Sequence, residues 1–169
     1  MFKKITFLAT LMMCTYLPAS QAAWKVNIEN DIFSNGKTAE LIGEIKNTKQ
    51  SIIFDCSQNK LAFSQVEENM NTTVKQGGKF KTLLKVDDNP PVTFTTTLAR
   101  RDPQAIQLTS TEADKIVQVL SQLMQQRSST DFLTGVTDTH GKQLSSGAGS
   151  VNSAKKALKK FIAACDITL

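Results

Sequence analysis

KFKTLLKV-DDNPP-VTFTTTL, residues 79–98, places two alternating runs on either side of a chain breaker. Phe80, Thr82, Leu84 and Val86 occupy every second position, interleaved with Lys79, Lys81, Leu83 and Lys85. Val92, Phe94, Thr96 and Leu98 resume the pattern against Thr93, Thr95 and Thr97. A period of two belongs to an extended chain, whose successive side chains point to opposite faces. Between the runs, prolines preset φ and remove donors, and Asp and Asn bond their own backbone, so Asp87-Asp88-Asn89-Pro90-Pro91 reads as a turn. The stretch predicts two strands of an antiparallel sheet, each with one face inside.

The same reading extends in both directions. Upstream, Trp24, Val26 and Ile28 alternate with Lys25, Asn27 and Glu29, and Asn30-Asp31 and Ser34-Asn35-Gly36-Lys37 carry turn chemistry. Ala39 to Ile45 reads as a second strand with a turn at Asn47 to Gln50. SIIFDC, Ser51 to Cys56, is a short β-branched apolar run that suits a central strand, and Ser57-Gln58-Asn59 turns it into Lys60 to Val66. Downstream, a brief strand is expected at Ala105 to Leu108, and the period changes at Thr109. Ser110 or Thr111 with Asp114 makes a capping box, and Ile116, Val117, Leu120, Leu123 and Met124 form one helical stripe ending near Arg127, before Ser128-Ser129. Phe132 to Thr137 and Gln143 to Ser146 read as strands around a Thr139-His140-Gly141-Lys142 turn. Gly147 to Gly149 then lead into a last helix, Asn152 to Cys165. Strands first and helices last predict an α+β domain, an antiparallel meander with two helices packed on one face.

The first residues read as a secretory leader. Lys3 and Lys4 precede an apolar run from Ile5 to Leu17, Pro18 breaks it, and Ser20 and Ala22 stand at −3 and −1 of a cut before Ala23. The run is shorter than the ~20 residues a membrane span needs. Lipidation at Cys14 is disfavoured by Met13, where such a cut needs a small residue. The leader is of bacterial type, so the expected destination is the periplasm or the exterior, with residues 1–22 removed, 23–169 forming a single domain and no stable membrane anchor remaining. Removing 22 of the 169 residues leaves 147, and the loss of two lysines and no acid lowers the net charge from +5 to +3. That mild excess gives no reason to expect nucleic acid as a partner.

Removal of the leader also leaves Cys56 and Cys165 as an even pair. In an oxidising compartment such a pair is most simply a disulfide; two buried thiols are the plainer alternative, and no C-x-x-C marks a redox centre. A bridge over the 108 intervening residues would be worth up to about 4.7 kcal/mol through loop entropy. Along the last helix Ala154, Ala157, Leu158, Phe161, Ile162 and Cys165 share an apolar face, and Lys155, Lys156, Lys159 and Lys160 share the other. The apolar edge predicts a core helix, and the lysines a basic surface able to guide an acidic partner. His140 stands alone in a turn, without the companions of a zinc site or a nucleophile motif. Glu67-Glu68 and Asp87-Asp88 are adjacent pairs, and neighbours on a strand face opposite ways. These residues point to binding rather than catalysis, with no cofactor and no metal expected, and to the sheet edge at Trp24 to Ile28 as a further partner surface.

The chain resembles small periplasmic accessory proteins of the type VI secretion VasI/TagO kind and, more loosely, the invasion-associated locus B family. The likeness lies in WKVNI (Trp24 to Ile28) with Phe33 soon after, in IIFDC-SQNK-LAF (Ile52 to Phe63), and in the segment from Gly147 to Cys165 with Ala154, Leu158 and Phe161. It implies a non-enzymatic envelope or secretion accessory with Cys56 and Cys165 bridged. An inhibitor or immunity protein against a secreted or cell-wall hydrolase is the alternative of a different class. Export predicts a mature chain that begins Ala-Trp-Lys and gains the mass of two hydrogens on reduction; intact mass with and without reductant checks both points.

Overall fold

The computed structural model describes residues 24–31, 36–57, 60–68, 75–126 and 131–169. The expected leader, Cys14, Phe33, the turn at 58–59 and the helix end at 127–129 lie outside the described residues. Nine strands and two helices follow in order: β1 Lys25–Asp31, β2 Gly36–Glu44, β3 Gln50–Ser57, β4 Lys60–Glu68, β5 Lys79–Val86, β6 Val92–Asp102, β7 Ala105–Ser110, α1 Ala113–Gln125, β8 Asp131–Thr137, β9 Gln143–Ser150 and α2 Ala154–Cys165. This is an α+β fold, one antiparallel sheet with two helices and a Cys56–Cys165 disulfide.

The strand order is β1-β2-β3-β4-β7-β6-β5-β8-β9. The meander expected from the sequence holds for β1 to β4. Next to β4, however, lies β7 rather than β5, with Leu108 opposite Gln65 and Ser110 opposite Phe63. The β5–β6–β7 run thus folds back towards β4, and β8 and β9 extend the sheet from the far side of β5.

The sheet curls round its inner face. β4 and β8 stand four places apart, yet the Thr134 hydroxyl donates to Gln65 Oε1 at 2.9 Å. Past the end of β2, the Lys46 N–H donates to the Ala148 carbonyl of β9 at 2.8 Å. Leu41, Phe54, Phe63, Leu84, Phe94 and Phe132 point into the curl and meet Ile116, Leu120 and Leu123 of α1 and Leu158 and Phe161 of α2 in one buried cluster. Phe63 stacks on Phe94 with centroids 4.3 Å apart, an arrangement that adds to the area these rings bury.

Small residues make the closure fit. Trp24, 5% exposed, lies over Gly43 of β2, sets its ring edge-on to Phe132 at 5.7 Å, and donates Nε1–H to the Ser150 carbonyl at 2.7 Å. A methyl at Gly149 would overlap the Phe132 ring and the Glu44 carbonyl, and one at Gly147 would overlap Ile45. The Gly147–Gly149 segment, expected as a lead-in to the last helix, is instead the second half of β9. Without side chains to alternate it carries no strand signal, and it pairs because the sheet closes there.

The start of α1 also differs from expectation. The cap is Glu112, without a side-chain cap bond, and Ser110 is the last residue of β7, so no capping box forms. The Glu112 carboxylate instead accepts from the Thr95 N–H at 2.8 Å, from Ser110 at 3.1 Å and from Lys115 at 2.6 Å, pinning the helix entrance to β6. Burial works against the charge, but the bonds from Lys115, Thr95 and Ser110 outweigh it and hold Glu112 below the usual carboxylate range. Val119 replaces the expected Val117 on the buried stripe.

Two outcomes follow. Gly149→Ala should lower unfolding stability by about 1–3 kcal/mol through overpacking, with partial recovery in Gly149→Ala/Phe132→Leu, read from urea midpoints. The lowered Glu112 pKa means that its contribution is present above its unfolded pKa of about 4.3 and is lost as pH falls through the folded value. The stability gap between wild type and Glu112→Gln should therefore be wider at pH 7 than at pH 3.

Candidate functional site

α2 is held from its apolar side. Ala154, Ala157, Leu158 and Phe161 are buried, the helix packs over β1 and β2, and Cys165 at its last position is bonded to Cys56 on β3, with Cα atoms 6.1 Å apart. The chain placed the cysteines 109 positions apart, and the sheet brings them together. With that edge committed, Lys155, Lys156, Lys159 and Lys160 are all exposed on the opposite side, and none forms an ion pair among the described residues.

The placement of these lysines runs against the helix. Lys155 and Lys156 lie in the first turn, where the positive end of the dipole disfavours a cation, and no acidic residue accompanies them. Lys155 also borders a polar cleft lined by Asp87 and Asp88 of the β5–β6 turn and by Gln125 and Gln126 at the end of α1.

A second feature lies inside the curl, at the ends of the strands away from the helices. Each of several strands presents three kinds of inner residue in succession. On β5 these are Phe80, then Thr82, then Leu84; on β6 they are Leu98, Thr96 and Phe94; on β8 they are Val136, Thr134 and Phe132. The last of each set packs against the helices and the middle one forms a polar belt. Thr82 and Thr96, fully buried, share a hydrogen bond of 3.1 Å. From Thr134 the belt continues to Gln65, whose Nε2 donates to Gln50 Oε1 at 3.1 Å, and Gln50 in turn donates to Glu67 Oε2 at 3.2 Å. Each of these buried polar side chains thus has at least one hydrogen-bond partner inside the sheet.

Beyond the belt the first members of the sets line an apolar pocket of about 200 Å³. The sequence did not reveal it. Alternation marks Phe80 and Leu84 equally as inward-facing, and only the length of the helices decides that one is covered by α1 and the other is not. Glu67 and Glu68 part as expected, with Glu67 on the pocket and Glu68 exposed outside.

The outer face carries one dense ionic group. At an irregularity near the tip of the β6–β7 hairpin, Arg101 donates to both oxygens of Asp55 at 3.0 and 3.2 Å, to Glu40 at 2.7 Å and to Gln107 at 3.0 Å. The hydrogen bond to Asp55 and the charges of Asp55 and Glu40 outweigh desolvation and raise the guanidinium pKa above its ordinary value. These bonds tie the tip of the β6–β7 hairpin to β2 and β3. His140 is exposed in its turn, where Asp138 accepts its backbone N–H at 2.9 Å. β1 is an edge strand of the sheet, as expected, while Trp24 just before it is buried and Ile28 is 42% exposed. Among the described residues no three His, Cys, Asp or Glu side chains converge on a metal position, and no helix is long and apolar enough to cross a membrane.

No family model, curated protein or solved structure matches the chain.

Proposed function

We propose that the chain is an exported, non-catalytic binding protein of the bacterial envelope, working in the periplasm or outside the cell, whose lysine face on α2 docks an acidic surface of a protein partner. The observation that carries this reading is the fixed array of Lys155, Lys156, Lys159 and Lys160. A helix bonded at Cys165 and buried along its apolar stripe presents these four charges on a rigid body. Two of them are kept at the helix end that disfavours cations. Rigidity lowers the ordering cost of binding, and a cluster of one sign speeds encounter with the opposite sign and fixes its orientation. A disulfide suits an oxidising compartment, which is where the leader would deliver the chain. A secretion-system accessory is the class of partner complex that the sequence resemblance supports.

The test uses the disulfide-intact exported chain as bait in envelope extracts. A partner should be retained at low salt and weakened as ionic strength shortens the Debye length from about 10 Å at 0.1 M to about 3 Å at 1 M. Lys155→Glu/Lys156→Glu/Lys159→Glu/Lys160→Glu should abolish retention and leave the thermal midpoint of the fold within a few degrees of wild type, because all four side chains are exposed. Retention untouched by the charge reversal would refute the lysine face as the contact. If the captured protein is a cell-wall hydrolase whose activity falls on binding, the inhibitor class replaces the accessory class.

A further inference from the structure

We propose that the pocket at the open end of the curled sheet is a binding site for a small neutral or cationic amphiphile, with an apolar body seated among the strand ends and a hydrogen-bond donor directed at Glu67. The site is separate from the lysine face, because none of its lining residues comes from α1 or α2.

Size and lining set the body of the ligand. A dry cavity of about 150 Å³ already holds a benzene-sized guest, so the roughly 200 Å³ found between Phe80, Leu98, Ile106, Leu108, Val136 and Leu144 accepts about six to ten non-hydrogen atoms. The lining comes from seven strands, β3 to β9, and is therefore set by backbone pairing rather than by loops. Leu144 at the rim is 49% exposed, a large aliphatic side chain left in water beside an apolar space. Burying that surface under a ligand is favourable.

The polar belt sets the head. Gln65, only 6% exposed, accepts from Thr134 and gives one amide hydrogen to Gln50, which leaves the second amide hydrogen without a bond among the described residues. Glu67 accepts from Gln50 at 3.2 Å, so the belt ends in a carboxylate at the pocket. A carboxylate rejects an anionic head by like-charge repulsion and favours an ammonium or hydroxyl donor. Gln65, one layer deeper, can offer its hydrogen to the oxygen of a hydroxyl head. The chemistry that fits is a short alcohol or amine on an aliphatic or aromatic body.

The experiment titrates the disulfide-intact exported chain with hexan-1-ol, hexylamine and hexanoate, following methyl resonances of Leu98, Leu108 and Val136. The alcohol and the amine should shift these resonances saturably, and hexanoate should bind roughly tenfold more weakly or less. Glu67→Gln should remove that discrimination and keep the alcohol bound. Leu108→Trp should fill the pocket and abolish the shifts; Leu144→Trp, at the exposed rim and harmless to the core, serves the same purpose should the first variant fail to fold. Absence of saturable shifts with the alcohol and the amine, equal binding of hexanoate by wild type, or unchanged binding in the folded filled variants would overturn the proposal. Loss of protein-partner capture on reversing the α2 lysines bears on none of these outcomes.

Discussion

Trp24 occupies the point at which the two ends of the curled sheet meet. Its ring covers Gly43 on β2, its edge meets Phe132 on β8, and its indole N–H is bound to the Ser150 carbonyl at the end of β9. Nearby, Lys46 and Ala148 join backbone to backbone, and Gly147 and Gly149 let β9 approach Ile45 and the Glu44 carbonyl. A nine-strand antiparallel sheet carries right-handed twist from every strand, and an open sheet of that width exposes two long edges. Drawing β9 in against the β2–β3 turn covers part of one edge and converts one face of the sheet into an interior. The helices, the disulfide, the polar belt and the pocket all take their places from that interior.

The interior is layered because one set of strands must serve two ends. Near the helices the inner residues are Phe, Leu and Val, packed against α1 and α2, with Cys56–Cys165 tying α2 to β3. Further along, threonines and glutamine bond one another across the curl, and only then does the apolar pocket begin. A buried amide or hydroxyl costs several times more without a partner than a paired one returns. The belt therefore tolerates few alternative registers and fixes how β4, β5, β6 and β8 face each other. It also divides a well-covered core from an apolar space that the helices do not reach.

Much of this was legible in the chain. The alternation from Phe80 to Leu98, SIIFDC, and the helical stripe through Ile116, Leu120 and Leu123 identify elements whose pattern is local. The pairing of Cys56 with Cys165 was legible by count. The second half of β9 was not, because Gly147, Ala148 and Gly149 have no apolar period and pair only through sheet closure. Ser110 or Thr111 with Asp114 reads as a capping box, but Ser110 is held in β7 opposite Phe63, and the helix takes Glu112 as its cap. The position of β7 beside β4 rests on pairs from Glu68 with Ala105 to Phe63 with Ser110, separations that no local window contains. The lysine face could be read because its members recur at helical spacing. The pocket could not, since its walls repeat the inward pattern of core residues.

By itself the sequence determined the α+β class, the element types, the cysteine pair and the charge split along α2, because each depends on residue chemistry at short range or on simple counting. Tertiary structure alone decided the strand order, the closure at Trp24, the clasp of Arg101 on Asp55 and Glu40, and the division of one inward face into core, belt and pocket. The reason is physical. Burial is a property of what covers a side chain, and alternation specifies only the direction in which that side chain points.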